Sequence, residues 1–176
     1  MVRYGKGEAD AFDLLYGRHK GPLYRYLMRQ CGRDDVSADL FQETWSRVIQ
    51  ARHRYAPTAK FTTWLYRIAR NCAVDWARKQ RVSLSLDDVP EPAAEREPTP
   101  EQAAITGESL HRFRHALTEL SFEQREAFLL REEGGFGVGD IAAITGVGRE
   151  TAKSRLRYAA RKLRAALAED AETLDE

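Results

Sequence analysis

A tight turn that joins a short apolar helix to a long basic one constrains this chain more than any other feature. Residues 140–144 (DIAAI) predict the first helix, and residues 145–148 (TGVG) predict the turn. Gly146 stands where the first helix has to end, and a helix end often needs a positive φ that glycine adopts without strain. The second helix is predicted from Arg149 onward, with an apolar stripe at helical spacing. The stripe consists of Ala152, Leu156, Ala159, Leu163 and Leu167.

The second of these helices is strongly basic. Residues 149–164 hold seven lysines or arginines and one acid, and the residues between the stripe positions have to face away from the core. A tight turn followed by a basic, exposed helix is what reading the major groove of DNA requires. A solvated helix hairpin is the alternative, because a run of charges is usually only a solvent-exposed surface. The pattern favours a DNA-binding helix-turn-helix.

Length and composition narrow the class of protein. The 176 residues can form one or two small domains. No apolar run is long enough to cross a bilayer and the N-terminus lacks the apolar core of an export signal, so we expect a cytoplasmic protein. Cys31 and Cys72 lie in unrelated contexts, without CxxC spacing or a nearby histidine pattern. We therefore predict buried free thiols and no disulfide, metal or cofactor site.

The net charge of +1 hides a strong asymmetry along the chain. Residues 1–81 contain 16 basic and 8 acidic residues, whereas residues 82–108 contain one basic and seven acidic residues. The basic helix of the predicted helix-turn-helix follows this acidic joint. A basic block, an acidic joint and a basic helix indicate two modules that face nucleic acid and are joined by a tether.

The acidic joint also has the composition of a linker. Residues 90–100 contain four prolines, which prevent a continuous helix, and the neighbouring acids supply no apolar face to bury. We expect a flexible tether over residues 82–102, between one domain at 8–81 and a second at 103–170. Residues 99–101 (TPE) predict the start of the next helix, with a capping threonine and a first-turn proline.

Helical patterns fill the rest of the chain. Gly21 and Pro22 should kink or restart the first long helix, and Thr62 or Thr63 is predicted to cap the third. Residues 121–124 (SFEQ) fit a capping box. No period-two segment predicts a sheet, so we expect an all-α protein with two small helical domains, the second containing the helix-turn-helix. The predicted helices span residues 10–31, 34–51, 62–81, 103–120, 121–133 and the helix-turn-helix pair.

A second informative pattern mixes aromatic and basic side chains in residues 60–71 (KFTTWLYRIARN). Aromatic rings can stack on unpaired bases with about 1–3 kcal/mol each, while cations track the phosphates. This combination suits single-stranded or melting DNA better than an intact duplex, in which the bases are already stacked. Trp64 and Tyr66 cannot point the same way from one helix, so at least one belongs to the core. Trp76 is assigned to packing.

Residues 39–48 (DLFQETWSRV) predict a helix of a different character. Leu40, Trp45 and Val48 can face the core. An exposed polar face with one or two apolar members is suited to bind a partner helix. A plain solvated face has the same pattern. The exposed side is predicted to carry Asp39, Gln42, Glu43, Ser46 and Arg47.

These three segments, in this order and with an acidic tether between them, resemble the extracytoplasmic-function (ECF) sigma factors of bacterial transcription. The resemblance covers residues 10–81 and 109–168. It implies a non-enzymatic protein that binds core RNA polymerase, recognises the −35 and −10 promoter elements and promotes transcription initiation. It also implies contacts with the clamp coiled-coil and the flap of the polymerase. An anti-sigma factor is a further expected partner, since many relatives have one.

The resemblance also assigns roles to individual residues. The 39–48 face is expected to dock on the polymerase clamp. Phe61 and Trp64 are expected to stack at the melted edge of the −10 element, and Asn71 to read a base edge there. The DNA backbone near −10 is expected to contact Lys60, Arg67 and Arg70. The −35 element is expected to contact Arg149, Glu150, Lys153, Ser154, Arg157, Tyr158 and Arg161.

One strong alternative is a stand-alone helix-turn-helix regulator that binds a palindromic operator as a dimer. It predicts an apolar dimer or ligand surface in residues 1–81, whereas that segment is basic with interleaved aromatics. An enzyme is disfavoured, because no nucleotide-binding loop, metal-ligand spacing or nucleophile–base pattern occurs. A scaffold that binds only protein leaves the basic helix unexplained.

Overall fold

The computed structural model describes residues 1–84 and 106–172, and most of these residues are helical. No strand occurs in this part of the chain, and the all-α prediction is confirmed. Most of the predicted tether, including the predicted helix start at residues 99–101, lies outside the described residues. The helices are α1 (Val2–Gly5), α2 (Asp10–Cys31), α3 (Asp34–Gln50), a 3-10 turn (Arg52–Arg54), α4 (Phe61–Leu84), α5 (Thr106–Thr118), α6 (Phe122–Glu132), α7 (Val138–Thr145) and α8 (Arg149–Glu172).

Helices α1 to α4 form an N-terminal module whose core lies between α2, α3 and α4. The positions of α3 predicted to face inward, Leu40, Trp45 and Val48, are all buried. Phe12 and Tyr16 of α2 meet the Trp45 ring edge-on, with ring centroids 5.7 and 5.0 Å away. These contacts fix α3 against α2 and leave the opposite, polar side of α3 toward solvent.

Helix α2 runs through Gly21 and Pro22 without a break, so the predicted restart at this position is wrong. A proline removes only one backbone donor from the helix. The residues that follow, Leu23 and Leu27, are fully buried in the core, and this packing keeps the second half of α2 helical. Burial of this face outweighs the single lost hydrogen bond, so one long helix forms where two were considered.

Helix α4 begins earlier and ends three residues later than predicted, at Leu84. The Lys60 carbonyl accepts a hydrogen bond from the Trp64 N–H at 3.2 Å, which places Lys60 at the helix start. The predicted cap at Thr62 or Thr63 is therefore wrong. Thr63 lies instead in the first turn of the helix with its side chain buried.

Helices α5 to α8 form a C-terminal module with the predicted capping box and turn. Ser121 Oγ accepts a hydrogen bond from the Gln124 N–H, and the Gln124 side-chain oxygen accepts one from the Ser121 N–H, both at 3.3 Å. These bonds satisfy two backbone donors at the start of α6 that the helix itself leaves free. Gly146 adopts a φ of 70° at the end of α7, which confirms the glycine turn.

Helix α8 buries most of the predicted apolar stripe. Leu167 is 38% exposed, however, and its prediction as a buried residue is wrong. At that level of α8 the residue packed against α5 is Ala166, because the 3.6-residue period has carried Leu167 past the contact. The stripe is buried at Ala152, Ala159 and Leu163 and partly buried at Leu156.

The two modules pack directly on each other, which the sequence did not predict. Helix α4 lies against α7 and α2 lies against α6. The Tyr66 and Phe136 rings meet edge-on with centroids 4.9 Å apart. The side-chain amide of Gln30 donates to the Phe122 carbonyl at 3.1 Å, and Arg125 donates to the Gln30 carbonyl at 3.0 Å. Apolar and polar contacts thus both cross the interface between modules.

One carboxyl group is buried in this interface. Glu126 of α6 is fully buried, and Arg70 of α4 donates a hydrogen bond to one of its oxygens at 3.3 Å. The other oxygen, Oε2, has no hydrogen-bond partner among the described residues. Removal from water raises the pKa of Glu126 to about 7, and Arg70 opposes this shift only in part. The other charged or titratable groups that act on this site are Arg155 of α8, Glu123 of α6 and Tyr26 of α2.

We expect Glu126→Gln to stabilise the folded protein increasingly as the pH rises. Because the pKa is raised from 4.5 to about 7, the stability supplied by the protonated carboxyl is complete below pH 4.5 and is lost as the pH rises through about 7. Glutamine imitates the neutral form at every pH. Its advantage in unfolding free energy should therefore grow by about 1–3 kcal/mol between pH 5 and pH 8, measured by urea unfolding.

Glu132→Gln is the matched control for this measurement, since Glu132 lies on the same helix with an exposed side chain. It should change the unfolding free energy little at either pH. An advantage of Glu126→Gln that is the same at pH 5 and pH 8 would contradict the raised pKa.

Candidate nucleic-acid interface

The predicted −35 residues all lie on the exposed side of α8. This side is opposite the buried stripe, so Ala152 and Ala159 hold the helix against the module while the polar side chains project outward. The first turns of α8 pack with α7 and the later turns with α5. The exposed set, here called the α8 face, is Arg149, Glu150, Lys153, Ser154, Arg157, Tyr158 and Arg161.

Contacts within the α8 face are few and weak. Lys153 Nζ lies 3.9 Å from the carboxylate of Glu150, an exposed pair whose attraction is screened by water. The Arg161 guanidinium lies over the Tyr158 ring, 5.1 Å from its centroid, in a cation–π contact. Lys162, outside this face, donates to the Glu119 carbonyl at 3.0 Å. The cations of the α8 face are thus available to an external anion, whereas Lys162 is engaged by an internal one.

Four half-buried aromatic rings meet near the start of α4. The Tyr55 ring meets Trp64 edge-on at 4.9 Å, and Phe61 lies 5.9 Å from Trp64 and 5.4 Å from His19. Burial, with Arg18 nearby, lowers the pKa of His19 below its usual value. We call these four rings, His19, Tyr55, Phe61 and Trp64, the aromatic cluster.

The structure shows which of Trp64 and Tyr66 is the core residue, a choice that the sequence left open. Tyr66 is buried at the contact with Phe136, whereas Trp64 keeps part of its ring exposed. The expectation that at least one of this pair belongs to the core is therefore confirmed, and the core residue is Tyr66. Trp76 is half-buried and packs against the core of the module.

Two members of the aromatic cluster were missed by the sequence analysis. Tyr55 directly follows the 3-10 turn, and its position next to a run of basic residues was an available signal. His19 lies on α2, 42 residues before Phe61 in the chain, and no spacing pattern connects the two. Only the packing of α2 beside the start of α4 brings the His19 ring to the cluster.

The polar residues predicted to contact the −10 element differ in their surroundings. Arg67 and Asn71 are exposed and share a face of α4 with Trp64. Lys60 is exposed, and its Nζ lies 3.9 Å from Asp140 of α7. The remaining cation, Arg70, is turned toward Glu126 in the interface between modules. Arg67 and Asn71 therefore share one face of α4 with Trp64, whereas Arg70 points into the interface between modules.

An open apolar groove runs between α2 and α3 on the side predicted to dock a partner. Gln42 and Ser46 line it, as does Ile49, which was not among the predicted docking residues. Glu43 and Arg47 form an ion pair with each other outside the groove. The full lining of this α2–α3 groove is Tyr16, Phe41, Gln42, Trp45, Ser46, Ile49 and Gln50.

The remaining predicted docking residue, Asp39, is exposed on α3. Within residues 1–84 and 106–172 there is no group of three or more histidine, cysteine or acidic side chains arranged to hold a metal ion. No described helix combines the length and apolar character needed to cross a membrane.

Comparison with known proteins matches each module to a different region of the sigma-70 proteins. The sigma-70 region 2 family matches residues 15–82, and the sigma-70 region 4 family matches residues 110–163. The chain is 34% identical to the RNA polymerase sigma factor CarQ of Myxococcus xanthus, over 96% of both chains. It is 31% identical to the ECF RNA polymerase sigma factor SigL of Mycobacterium tuberculosis, over 92% of both chains.

A solved structure shows the same arrangement of helices. The sigma factor RpoE, in its complex with the anti-sigma factor NepR from Bartonella quintana, superimposes with a TM-score of 0.78 at 27% identity. The match covers 91% of this chain and 98% of that one. These similarities confirm the sigma-factor prediction and do not support the stand-alone dimeric regulator. The chain belongs to the ECF family of RNA polymerase sigma factors.

Proposed function

We propose that the two modules of this sigma factor divide promoter recognition between them. As a sigma factor the chain is not an enzyme; it binds core RNA polymerase, recognises the −35 and −10 elements and promotes transcription initiation. In our proposal residues 8–81 bind the polymerase and the −10 element, residues 103–170 bind the −35 element, and residues 82–102 link them. The observation that carries this division is that each module exposes side chains suited to a different form of DNA.

The α8 face is the proposed reader of the −35 duplex. Lys153 and Arg157 lie four residues apart on its exposed side, so one helical turn presents two cations to the same groove. Arginine or lysine donating to guanine is the commonest specific contact in the major groove. The stacked pair of Tyr158 and Arg161 lies further along the helix, where it can hold the phosphate backbone.

We expect the double variant Lys153→Ala, Arg157→Ala to lose promoter selectivity while keeping its affinity for core polymerase. Loss of one bidentate base contact costs about 1–3 kcal/mol, so discrimination between the correct −35 box and a scrambled one should fall about 5- to 150-fold. Transcription from the two templates by the reconstituted holoenzyme measures this ratio.

The matched control is Lys162→Ala, Arg164→Ala, which removes the same charge from α8 outside the α8 face. It should leave the ratio of transcription from the two templates unchanged. Loss of polymerase binding by the Lys153 and Arg157 double variant would count against the assignment of these residues to DNA.

The aromatic cluster is the proposed platform for unpaired bases of the −10 element. Its rings are close enough to support one another and still partly exposed. Lys60, just before α4, and Arg67 and Asn71 of α4 are exposed and can contact backbone and base edges. Rings flanked by cations bind single strands because each base offers a face for stacking while the phosphates meet positive charge.

We expect Tyr55→Leu to weaken binding of single-stranded −10 DNA about tenfold in the holoenzyme, because a leucine fills space but offers no aromatic face. Binding of a −35 duplex should be unchanged. Fluorescence anisotropy with the two oligonucleotides measures both affinities. Tyr4→Leu is the control, since the Tyr4 ring packs on Phe12, which is not a member of the cluster. Equal loss for both oligonucleotides would contradict a role in single-strand capture.

The α2–α3 groove is the proposed seat of the polymerase clamp coiled-coil. It offers the apolar surface of Phe41 and Ile49 together with the polar Gln42 and Ser46, which is the mixture expected where one helix docks on another. Asp39, Glu43 and Arg47 lie on α3 beside the groove and are proposed to contact the polar rim of the partner. The flap is the proposed contact of the C-terminal module.

We expect Ser46→Arg to weaken the affinity for core polymerase at least tenfold, because a long charged side chain would occupy the groove and would be desolvated on docking. Binding of the −35 duplex by the variant should not fall. Ala9→Arg, which adds the same charge at an exposed position before α2, is the control. Unchanged affinity of Ser46→Arg for core polymerase would exclude the groove as the docking site.

Two further parts of the proposal concern cellular context. We place the protein in the cytoplasm, where the polymerase that it serves is found. We also propose an anti-sigma partner, supported by the similarity of the chain to RpoE in its complex with the anti-sigma factor NepR.

A further inference from the structure

Helix α1 packs on the turn that leads into the aromatic cluster. It lies against the 3-10 turn at Arg52–Arg54, and that turn ends directly before Tyr55. No residue of α1 belongs to the surface that we assign to the −10 element. The helix is therefore placed to act on Tyr55 through the turn rather than by touching DNA.

Helix α1 is itself attached to the core of the N-terminal module. Met1 packs against that core. The Tyr4 ring lies 5.1 Å from the ring of Phe12, which in turn meets the buried Trp45 edge-on. These contacts are apolar, so a leucine at position 4 would still keep α1 in place. The turn thus rests on a helix that is anchored to the core.

Gly5 lies where the backbones of α1 and the turn come close together. A Cβ atom added to Gly5 would lie 2.7 Å from the Arg52 carbonyl oxygen, well inside the ~3.3–3.6 Å of a close C–H···O contact. The φ of Gly5 is not positive, so the backbone conformation does not require glycine. Alanine would also favour the helix more than glycine does. The nearby Arg52 carbonyl is therefore the feature that requires a glycine here.

The 3-10 turn is bonded into one unit with the end of α3. The Arg52 side chain donates to the Ile49 carbonyl at 3.2 Å, and the Arg54 N–H donates to the Ala51 carbonyl at 3.0 Å. A unit of this kind shifts or loosens as a whole when one of its backbone groups is displaced. A change at the Arg52 carbonyl is thus passed on to Tyr55, three residues later.

Tyr55 is held from two directions. Its ring meets Trp64 edge-on at 4.9 Å and lies 6.3 Å from Phe61, while its backbone continues from the turn that α1 supports. The groups of a binding site have to be held to within about 0.5 Å of their working geometry. Relief of the 2.7 Å contact to ~3.3 Å would separate α1 from the turn by about 0.6 Å. A single methyl group at Gly5 is therefore enough to disturb the Tyr55 ring.

We propose that Gly5 is a positioning residue for recognition of the −10 element. It allows α1 to pack on the 3-10 turn, and this packing sets the place of the Tyr55 ring against an unpaired base. The inference rests on the proposed role of the aromatic cluster as the platform for unpaired bases.

The first test measures the affinity of the holoenzyme for a single-stranded −10 oligonucleotide. Gly5→Ala should weaken it about three- to tenfold, because Tyr55 loses part of its stacking. The affinities for core polymerase and for a −35 duplex should not change. Gly17→Ala is the matched control, since it makes the same substitution in α2, where a Cβ meets no atom within 4 Å. Unchanged single-strand affinity in Gly5→Ala, or an equal loss of duplex affinity, would overturn the proposal.

A double-mutant cycle with Tyr55→Leu separates positioning from a general loss of structure. If Gly5 acts through Tyr55, Gly5→Ala should cost nothing further in a protein that already carries Tyr55→Leu. Additive losses would overturn the proposal. If Tyr55→Leu weakens binding and Gly5→Ala does not, the platform stands and only the role of Gly5 fails. If Tyr55→Leu has no effect, the platform itself fails and the role of Gly5 fails with it.

Hydrogen exchange in the free protein reports on the turn without DNA. Gly5→Ala should speed the exchange of backbone amides in residues 51–60, and Gly17→Ala should not. Helices α2, α3 and α4 should stay as protected in Gly5→Ala as in the wild type, which also shows that the variant is folded. Exchange in residues 51–60 at the wild-type rate would contradict support of the turn by α1.

Discussion

Close packing of α8 through small side chains is the constraint on which promoter reading by this protein depends. Ala152 and Ala159 are fully buried, so the helix backbone approaches its neighbours closely and its opposite side projects into solvent. A larger residue at either position would push α8 outward and re-aim every cation of the α8 face at once. The left-handed Gly146 complements this packing, because it sets the angle at which α8 leaves α7.

Helix α4 of the N-terminal module likewise has one side that packs in the protein and one side that is proposed to contact DNA, here the −10 element. Trp64 and Tyr66 are only two residues apart on α4, and the helix sends one ring to the surface and the other into the contact with Phe136. The exposed ring joins the aromatic cluster, while the buried ring helps to bring the C-terminal module against α4. Helix α4 therefore carries both the proposed DNA-binding surface and part of the surface that contacts the C-terminal module.

Local signals in the sequence were enough to predict most of the fold. The capping box at Ser121 and the turn at Gly146 follow from rules that involve only neighbouring residues, and both are present. The contact between modules could not be predicted in this way. Arg70 and Glu126 are 56 positions apart, and a polar residue on a helix is normally expected at the surface. The same holds for His19, whose place beside Phe61 depends on how α2 crosses α4.

The most direct test of this account is to map run-off transcripts made by purified bacterial core polymerase on genomic DNA, with and without the protein. The account predicts new, discrete start sites that share two upstream boxes, one for each module. A folded protein that binds duplex DNA by itself but directs no new start sites with the polymerase would contradict it.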